Sequence, residues 1–288
     1  MGFRLANVNG RAALVHGEHY TDLASHSSGA LGPDPMEALT RPDLLAELSA
    51  GLDESSITGR LDDVVLGPPV PRPQKVFGIG LNYADHVAEG GREAPASPLV
   101  FTKFPSCLVG PTADVEIRSG GCDYEAELVV VIGRGGRDIT ITDAWDHVVG
   151  VTVGQDISDR PAQFAASPPH FDLGKSFDTF GPIGPYVVST DLLPDRDALH
   201  LTCAVNGDVR QDGTTADLIF DVPTLVSFLS SVTTLVTGDV IFTGTPAGVG
   251  AAQGKFLADG DVITTTIDGV GTMTNRVVRV SDPRPLGA

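Results

Sequence analysis

From about residue 75 onward the chain is a succession of short apolar runs broken by glycine, proline, asparagine and aspartate. The segments "KVFGIG", "PLVFTKF", "ADVEIRS", "GCDYEAELVVVIG", "HVVGVTVGQD", "GPYVVST", "HLTCAVNGDVRQDG", "GDVIFTG", "DVITTTIDG" and "NRVVRV" each read as a strand. Many short strands between turn residues predict a sandwich or barrel. Helical patterns are few: "NYADHVAEG", "TDAWDHV", "SDRPAQFAA" and "DLIFDVPTLVSFLSSV". They do not alternate with the strands as a parallel doubly wound sheet requires, so the expected class is β-rich α+β.

The first part of the chain differs. "FRLANVNGRAALVHG" is a hairpin pattern, with Asn9 and Gly10 supplying the positive φ angles of a two-residue turn. The helix-like "RPDLLAELSAGL" follows, and then "LGPPVPRPQK" at residues 66–75 places four prolines in ten positions. Neither a helix nor a strand interior tolerates that density. A boundary is expected there, giving a small N-terminal domain over 1–69 and a larger domain over 70–288.

One strand carries an apparent conflict. "GCDYEAELVVVIG" ends in a core-like run yet begins with Asp123, Glu125 and Glu127. Alternate residues of a strand share a face, so Glu125 and Glu127 point the same way with their Cβ atoms roughly 6–7 Å apart. Two carboxylates that close, if buried, need protonation, a basic partner or a divalent cation. No Lys or Arg lies within the stretch, while Asp156 ends the next strong strand pattern. If those strands are neighbours, three carboxylates converge, and oxygen-only ligands select a hard cation: Mg²⁺, Mn²⁺ or Ca²⁺. A half-exposed strand whose acids face solvent is the competing reading. "HGEHY", with His16, Glu18 and His19, lies at a hairpin end and reads as a surface loop rather than a metal site.

Composition narrows the partners. With 19 Lys plus Arg against 37 Asp plus Glu, the formal net charge is −18, which repels nucleic acid and anionic lipid. An anionic substrate then needs a metal or local cations to hold it. The longest apolar run, "LVVVIG", is far short of the roughly 18–20 residues of a membrane span, and the N-terminus lacks the order of a signal peptide, so a cytoplasmic location is expected. The three cysteines, Cys107, Cys122 and Cys203, are scattered and read as buried thiols. "GIGLNY" places Tyr83 where a dinucleotide fingerprint has its third glycine, and "GTPAGVG" lacks the Lys-Ser/Thr of a phosphate loop.

Acid–base candidates remain. His86 and Glu89, three apart on a helix, are neighbours on one face, and a carboxylate beside an imidazole sets its tautomer and basicity. Gly90 and Gly91 would let that helix end and swing. Lys175, among turn formers and aromatic residues, could stabilise an oxyanion or enolate. Arg160 and Gln163 follow closely after Asp156, one able to grip a carboxylate and the other to orient water. Each has an ordinary surface reading when taken alone.

Taken together and in order, "GLNYADHVAE", "FTKFPS", "DYEAELVVVIG", "QDISDRPAQ", "GKSFDTFGPIGP", "VNGDVRQDG" and "GDVIFTGTPAGVG" resemble the fumarylacetoacetate hydrolase family, in its subgroup of acylpyruvate hydrolases, oxaloacetate decarboxylases and hydroxyheptadienedioate isomerases. The resemblance implies a mixed β-sandwich roll with a small N-terminal domain, a homodimer, and Mg²⁺ or Mn²⁺ on Glu125, Glu127 and Asp156. It implies catalytic roles for His86, Glu89, Lys175 and Gln163, with the His-Glu dyad on a mobile lid, and substrate contacts from Arg160, Thr245, Lys103 and Tyr83. One departure is Pro161, where the family usually has Asp, which bears on the aim of Arg160 and Gln163. The implied reaction is C–C cleavage, hydrolytic or decarboxylative, of a 2,4-dioxo acid or an oxaloacetate-like acid through a metal-stabilised enolate. An isomerase of the heptadienedioate type and a non-catalytic metal-dependent binding protein are the alternatives.

Overall fold

The fold grows from hairpins whose turns are written in the sequence. In a computed structural model, which describes residues 2–91 and 93–281, Asn9 and Gly10 both take positive φ and join the strands Arg4–Val8 and Arg11–His16. Asn206 and Gly207 do the same between His200–Val205 and Asp208–Thr214. These left-handed positions are what two-residue turns demand.

Two large sheets result. The first runs through Gly59–Arg60, His19–Asp22, Arg11–His16, Arg4–Val8, Gly181–Val188, Val148–Gln155, Ala126–Ile132, Val240–Phe242, Val76–Gly80 and Leu99–Thr102. The second runs through Asp208–Thr214, His200–Val205, Val262–Ile267, Gly271–Arg279 and Val115–Ile117. The two pack against each other around one apolar core. Every residue of Ala126–Ile132 and of Val148–Gln155 is buried, as expected of central strands covered on both faces. This is the β-rich α+β arrangement expected from the strand pattern. Among the described residues the helices are short apart from Pro42–Ala50 and Val222–Val232, the latter packing on the 3₁₀ turns of Ile141–His147.

Several expectations change in detail. The boundary at 69/70 falls in an extended proline segment, but strand pairing crosses it: Arg4–Val8 lies antiparallel to Gly181–Val188, with Leu5 opposite Val187. Strands from residues 4–22 and 59–67 thus add to the main sheet. "TDAWDHV" is 3₁₀ rather than α-helical, and "SDRPAQFAA" yields a single turn, Arg160–Gln163, capped by Asp159. "GCDYEAELVVVIG" is not one strand. Cys122–Asp123 pairs with Ser158–Asp159, Ala126–Ile132 pairs with Val148–Gln155, and Tyr124 and Glu125 lie between. At the break, side-chain amides replace backbone partners: the Glu125 N–H donates to Gln155 Oε1 (3.0 Å) and the Ala126 N–H to Gln211 Oε1 (2.9 Å).

Close packing around the central strands makes one glycine indispensable. Gly154 lies opposite Glu127, and a Cβ there would penetrate Val129 Cγ2 and sit 2.9 Å from Phe242 Cε1. All of these neighbours are fully or nearly fully buried and have nowhere to go. Gly154→Ala is expected to lower stability by about 1–3 kcal/mol, measured as a shifted urea midpoint at unchanged slope; an unaltered midpoint would show that this sheet can yield.

Candidate metal centre and active-site cavity

The antiparallel register that sets Ala126 opposite Gln155 brings the three acids together. Asp156 N–H donates to the Glu125 carbonyl (2.9 Å), so Glu125 and Asp156 leave the sheet side by side while Glu127 projects from the strand itself. Glu125, Glu127 and Asp156 are all buried, and one carboxylate oxygen from each lies within 4.8 Å of the other two. Glu127 is aimed by a backbone donor: Gly244 N–H reaches its Oε2 at 2.7 Å. Gly244 holds φ at +103°, and a Cβ there would come 2.8 Å from Asn82 Cβ. Asn82, fully buried, fixes that approach by donating to the Phe220 and Thr243 carbonyls (3.0 and 2.7 Å) and accepting from Phe220 N–H (2.8 Å).

Three cations answer the acids. Lys175 Nζ donates to Glu125 Oε2 (2.6 Å) and Asp156 Oδ2 (2.5 Å), and Lys103 Nζ donates to Asp156 Oδ1 (2.6 Å). Arg160 reaches Glu125 Oε1 at 2.6 Å and Asp123 Oδ2 at 2.7 Å. Burial opposes the charge on Glu125, but Lys175 and Arg160 outweigh it and hold that carboxyl below its ordinary range. Burial likewise opposes the charge on Lys175, and Asp156 and Glu125 overcome it, so the ammonium is kept protonated. Among the described residues no cation pairs with Glu127, and burial, followed by repulsion from Asp156 and Glu125, pushes it well above the carboxylate range. Among the described residues four buried carboxylates thus face three cations, with the shortfall on Glu127. An all-oxygen donor set with one uncompensated acid fits a hard divalent cation.

A cavity of about 280 Å³ opens over this cluster, lined by Glu125, Glu127, Lys175, Arg160, Gln163 and Thr245, and across from them by His86 and Glu89. His86 Nδ1 lies 3.5 Å from Glu89 Oε2 on the helix Ala84–Glu89. Both Glu89 oxygens also accept from Gly248 N–H (3.1 Å each), and Asp85 Oδ2 accepts from Ala247 N–H (3.3 Å). The helix is therefore clasped to the "GTPAGVG" loop by two acids, of which Asp85 gives no sign in the sequence.

Four expected substrate contacts need restating. Lys103 does not line the cavity: its ammonium is fully buried behind Asp156, with the Lys175 and Phe180 carbonyls as its other acceptors, so it positions an acid. Tyr83 is buried at the start of the Ala84–Glu89 helix and its hydroxyl has no partner among the described residues, so it also lies off the cavity wall. Arg160 lines the cavity, but its fork is already taken by Asp123, Glu125 and Gln163 Oε1 (2.9 Å), which leaves the Gln163 amide nitrogen as the freer donor. Thr245 donates to the Ala126 carbonyl (2.9 Å) and accepts from Gln211 Nε2 (2.7 Å), so towards a ligand it can act only as an acceptor. Pro161 sits in the first turn after the Asp159 cap and leaves Arg160 free to make its fork, Asp159 accepting from Ala162 N–H at 3.0 Å. Around "HGEHY", His16 and His19 are cross-strand neighbours, and among the described residues no metal-ligating group forms there.

Asp123, which the strand pattern puts outside the metal ligands in a supporting or strand-edge place, supports the site. Its Oδ2 accepts from Arg160 Nε (2.9 Å) and Ala251 N–H (3.0 Å), and its Oδ1 from Gly250 N–H (2.6 Å) and Tyr124 N–H (2.8 Å). One fully buried carboxylate thus ties the guanidinium beside Glu125 to the loop that clasps the His86 helix. Outer partners of metal-holding residues typically carry about 10–100-fold in affinity or activity. Asp123→Asn is expected to weaken Mn²⁺ binding by about that factor, read by calorimetric titration; wild-type affinity would show that Arg160 holds its place without Asp123.

Comparison with known proteins agrees with this geometry. Residues 75–278 match the family described as Fumarylacetoacetate (FAA) hydrolase C-terminal. The chain is 42% identical over 220 residues to the human protein named Oxaloacetate tautomerase FAHD2A, mitochondrial, covering 75% of this chain and 70% of that one. It is 43% identical over 225 residues to Oxaloacetate tautomerase YisK of Bacillus subtilis, covering 75% and 74%. Among solved structures, maleylpyruvate hydrolase from Sphingobium sp. SYK-6, in complex with manganese (II) ion and pyruvate, superposes with a TM-score of 0.81 at 31% identity, covering 96% of this chain and all of that one. No helix among the described residues is long and apolar enough to cross a membrane. The match over most of the chain, together with the converged acids, establishes that the protein belongs to the fumarylacetoacetate hydrolase family of enzymes.

Proposed function

We propose that the protein is a divalent-metal-dependent enzyme that enolises short 2-oxo acids bearing a carboxylate or carbonyl at C4, with oxaloacetate as the reference substrate. The observation that carries this reading is the convergence of Glu125, Glu127 and Asp156, the first two of which line the same small cavity as His86 and Glu89. Relatives named for oxaloacetate tautomerisation support proton transfer as the basic reaction. Held by the three acids, Mg²⁺ or Mn²⁺ would polarise the 2-oxo group and offset the negative charge that develops on its oxygen.

The chain's own residues supply the rest. Lys175, kept charged by Glu125 and Asp156, adds a positive field beside the substrate oxygens. In the tautomer that donates Nδ1–H to Glu89, His86 leaves Nε2 free to take the C3 proton and return it to oxygen. Gln163 orients a ligand oxygen through its amide N–H. Negative net charge elsewhere does not defeat binding, because these cations and the metal are concentrated at the cavity floor.

The dyad at the cavity wall favours a second reading, C–C cleavage. If His86 instead deprotonates a water, its oxygen adds to C4, the C3–C4 bond breaks with its electron pair passing to C3, and C3 takes a proton, releasing a carboxylic acid and a 2-oxo acid. For a 4-carboxylate, loss of CO₂ requires no water.

The test is an assay of oxaloacetate keto–enol conversion, oxaloacetate decarboxylation and pyruvate release from acylpyruvates, with Mg²⁺ or Mn²⁺ and with chelator. Glu125→Ala is expected to abolish metal binding and all turnover together, and activity surviving in chelator would refute the proposal. His86→Ala is expected to lower acylpyruvate hydrolysis by about 10²–10⁴-fold while sparing decarboxylation; equal loss of both would remove the dyad's assigned role.

A further inference from the structure

We infer that the cavity selects 2-oxo acids whose chain beyond C4 is apolar and uncharged, and that it rejects those ending in a second, distal carboxylate. This rests on the function proposed above and adds what lies past the reacting carbons.

A line of aromatic rings gives the direction. Lys175 Nζ stands 5.0 Å from the centroid of Phe101, the Phe101 ring lies 5.8 Å from Phe171, and Phe171 lies 6.3 Å from Phe164. All three rings line the cavity, and the last of them, Phe164, is 47% exposed. An apolar wall therefore leads from the ammonium over the acids out to solvent. Leu81 and Val249 add to the cavity's apolar lining. A large aromatic left half in water at the mouth of a site is the surface an apolar ligand tail would cover.

Charge points the same way. Among the described residues lining the cavity, the cations are Lys175 and Arg160, and both are already engaged by Glu125, Asp156 and Asp123 beneath the reacting position. Among the described lining residues a distal carboxylate would lose water without gaining a free cation, and it would meet the like charge of Glu89. Oxaloacetate ends at C4 and so carries no carboxylate into that apolar stretch.

The experiment compares paired acylpyruvates of equal chain length, one ending in a methyl group and one in a carboxylate, in binding to the Mn²⁺-loaded protein by calorimetry and in kcat/KM. The methyl-ended member is expected to be preferred by at least about tenfold, the scale on which a hydrophobic pocket discriminates. Phe164→Arg, a change at a partly exposed position that the fold tolerates, is expected to shift that ratio towards the carboxylate by a similar factor. Equal or better binding of the carboxylate-ended member to the unaltered protein would overturn the inference while leaving the proposed chemistry intact. Metal-independent turnover, or none with any 2-oxo acid, would instead count against the function, and the binding ratio would still decide the question of the tail.

Discussion

Everything in the site follows from concentrating negative charge in the interior of an already acidic protein. Glu125, Glu127 and Asp156 are buried where two central strands end side by side. Buried charges that are not paired cost several kcal/mol each, so the surrounding structure must supply donors in fixed places. It does so from separated segments: Lys103 after an edge strand, Lys175 after a short turn, Arg160 from a one-turn helix, and Gly244 from the loop after Val240–Phe242. The acids organise these loops as much as the loops organise the acids.

The sheet makes that concentration possible. Strands buried on both faces are rigid, and their register fixes where each carboxylate leaves the ladder. The side-chain amides of Gln155 and Gln211 take over the backbone donors at the break, so the chain can turn its acids towards the cavity without stranding N–H groups. Gln155 is itself held across the two sheets by Thr265 Oγ1 at 2.8 Å, which links the site to the packing of the core.

Much of this was legible in the sequence, for local reasons. Asn-Gly pairs named their turns, and the strand patterns pointed to Glu125, Glu127 and Asp156 as a cluster, although Glu125 lies just outside the strand and not on an alternating face of it. What escaped was set by partners distant in the chain. Nothing near Arg160 reveals that Asp123, 37 positions earlier, occupies its fork. The family resemblance implies a substrate contact for Lys103, but only the fold shows it lying behind Asp156. The clasp between Asp85, Glu89 and the backbone of residues 247–248 uses donors that carry no side-chain signature at all.

The pairing of Arg4–Val8 with Gly181–Val188 bears on how the protein can be divided. The family match begins at residue 75, and a chain cut there would keep every acid and every cation of the site. It would also lose the strand that covers one side of Gly181–Val188, baring a row of unpaired backbone donors and acceptors beside buried valines. Such an edge invites other chains to pair with it. The N-terminal strands thereby close one edge of the very sheet whose strand ends hold the acids.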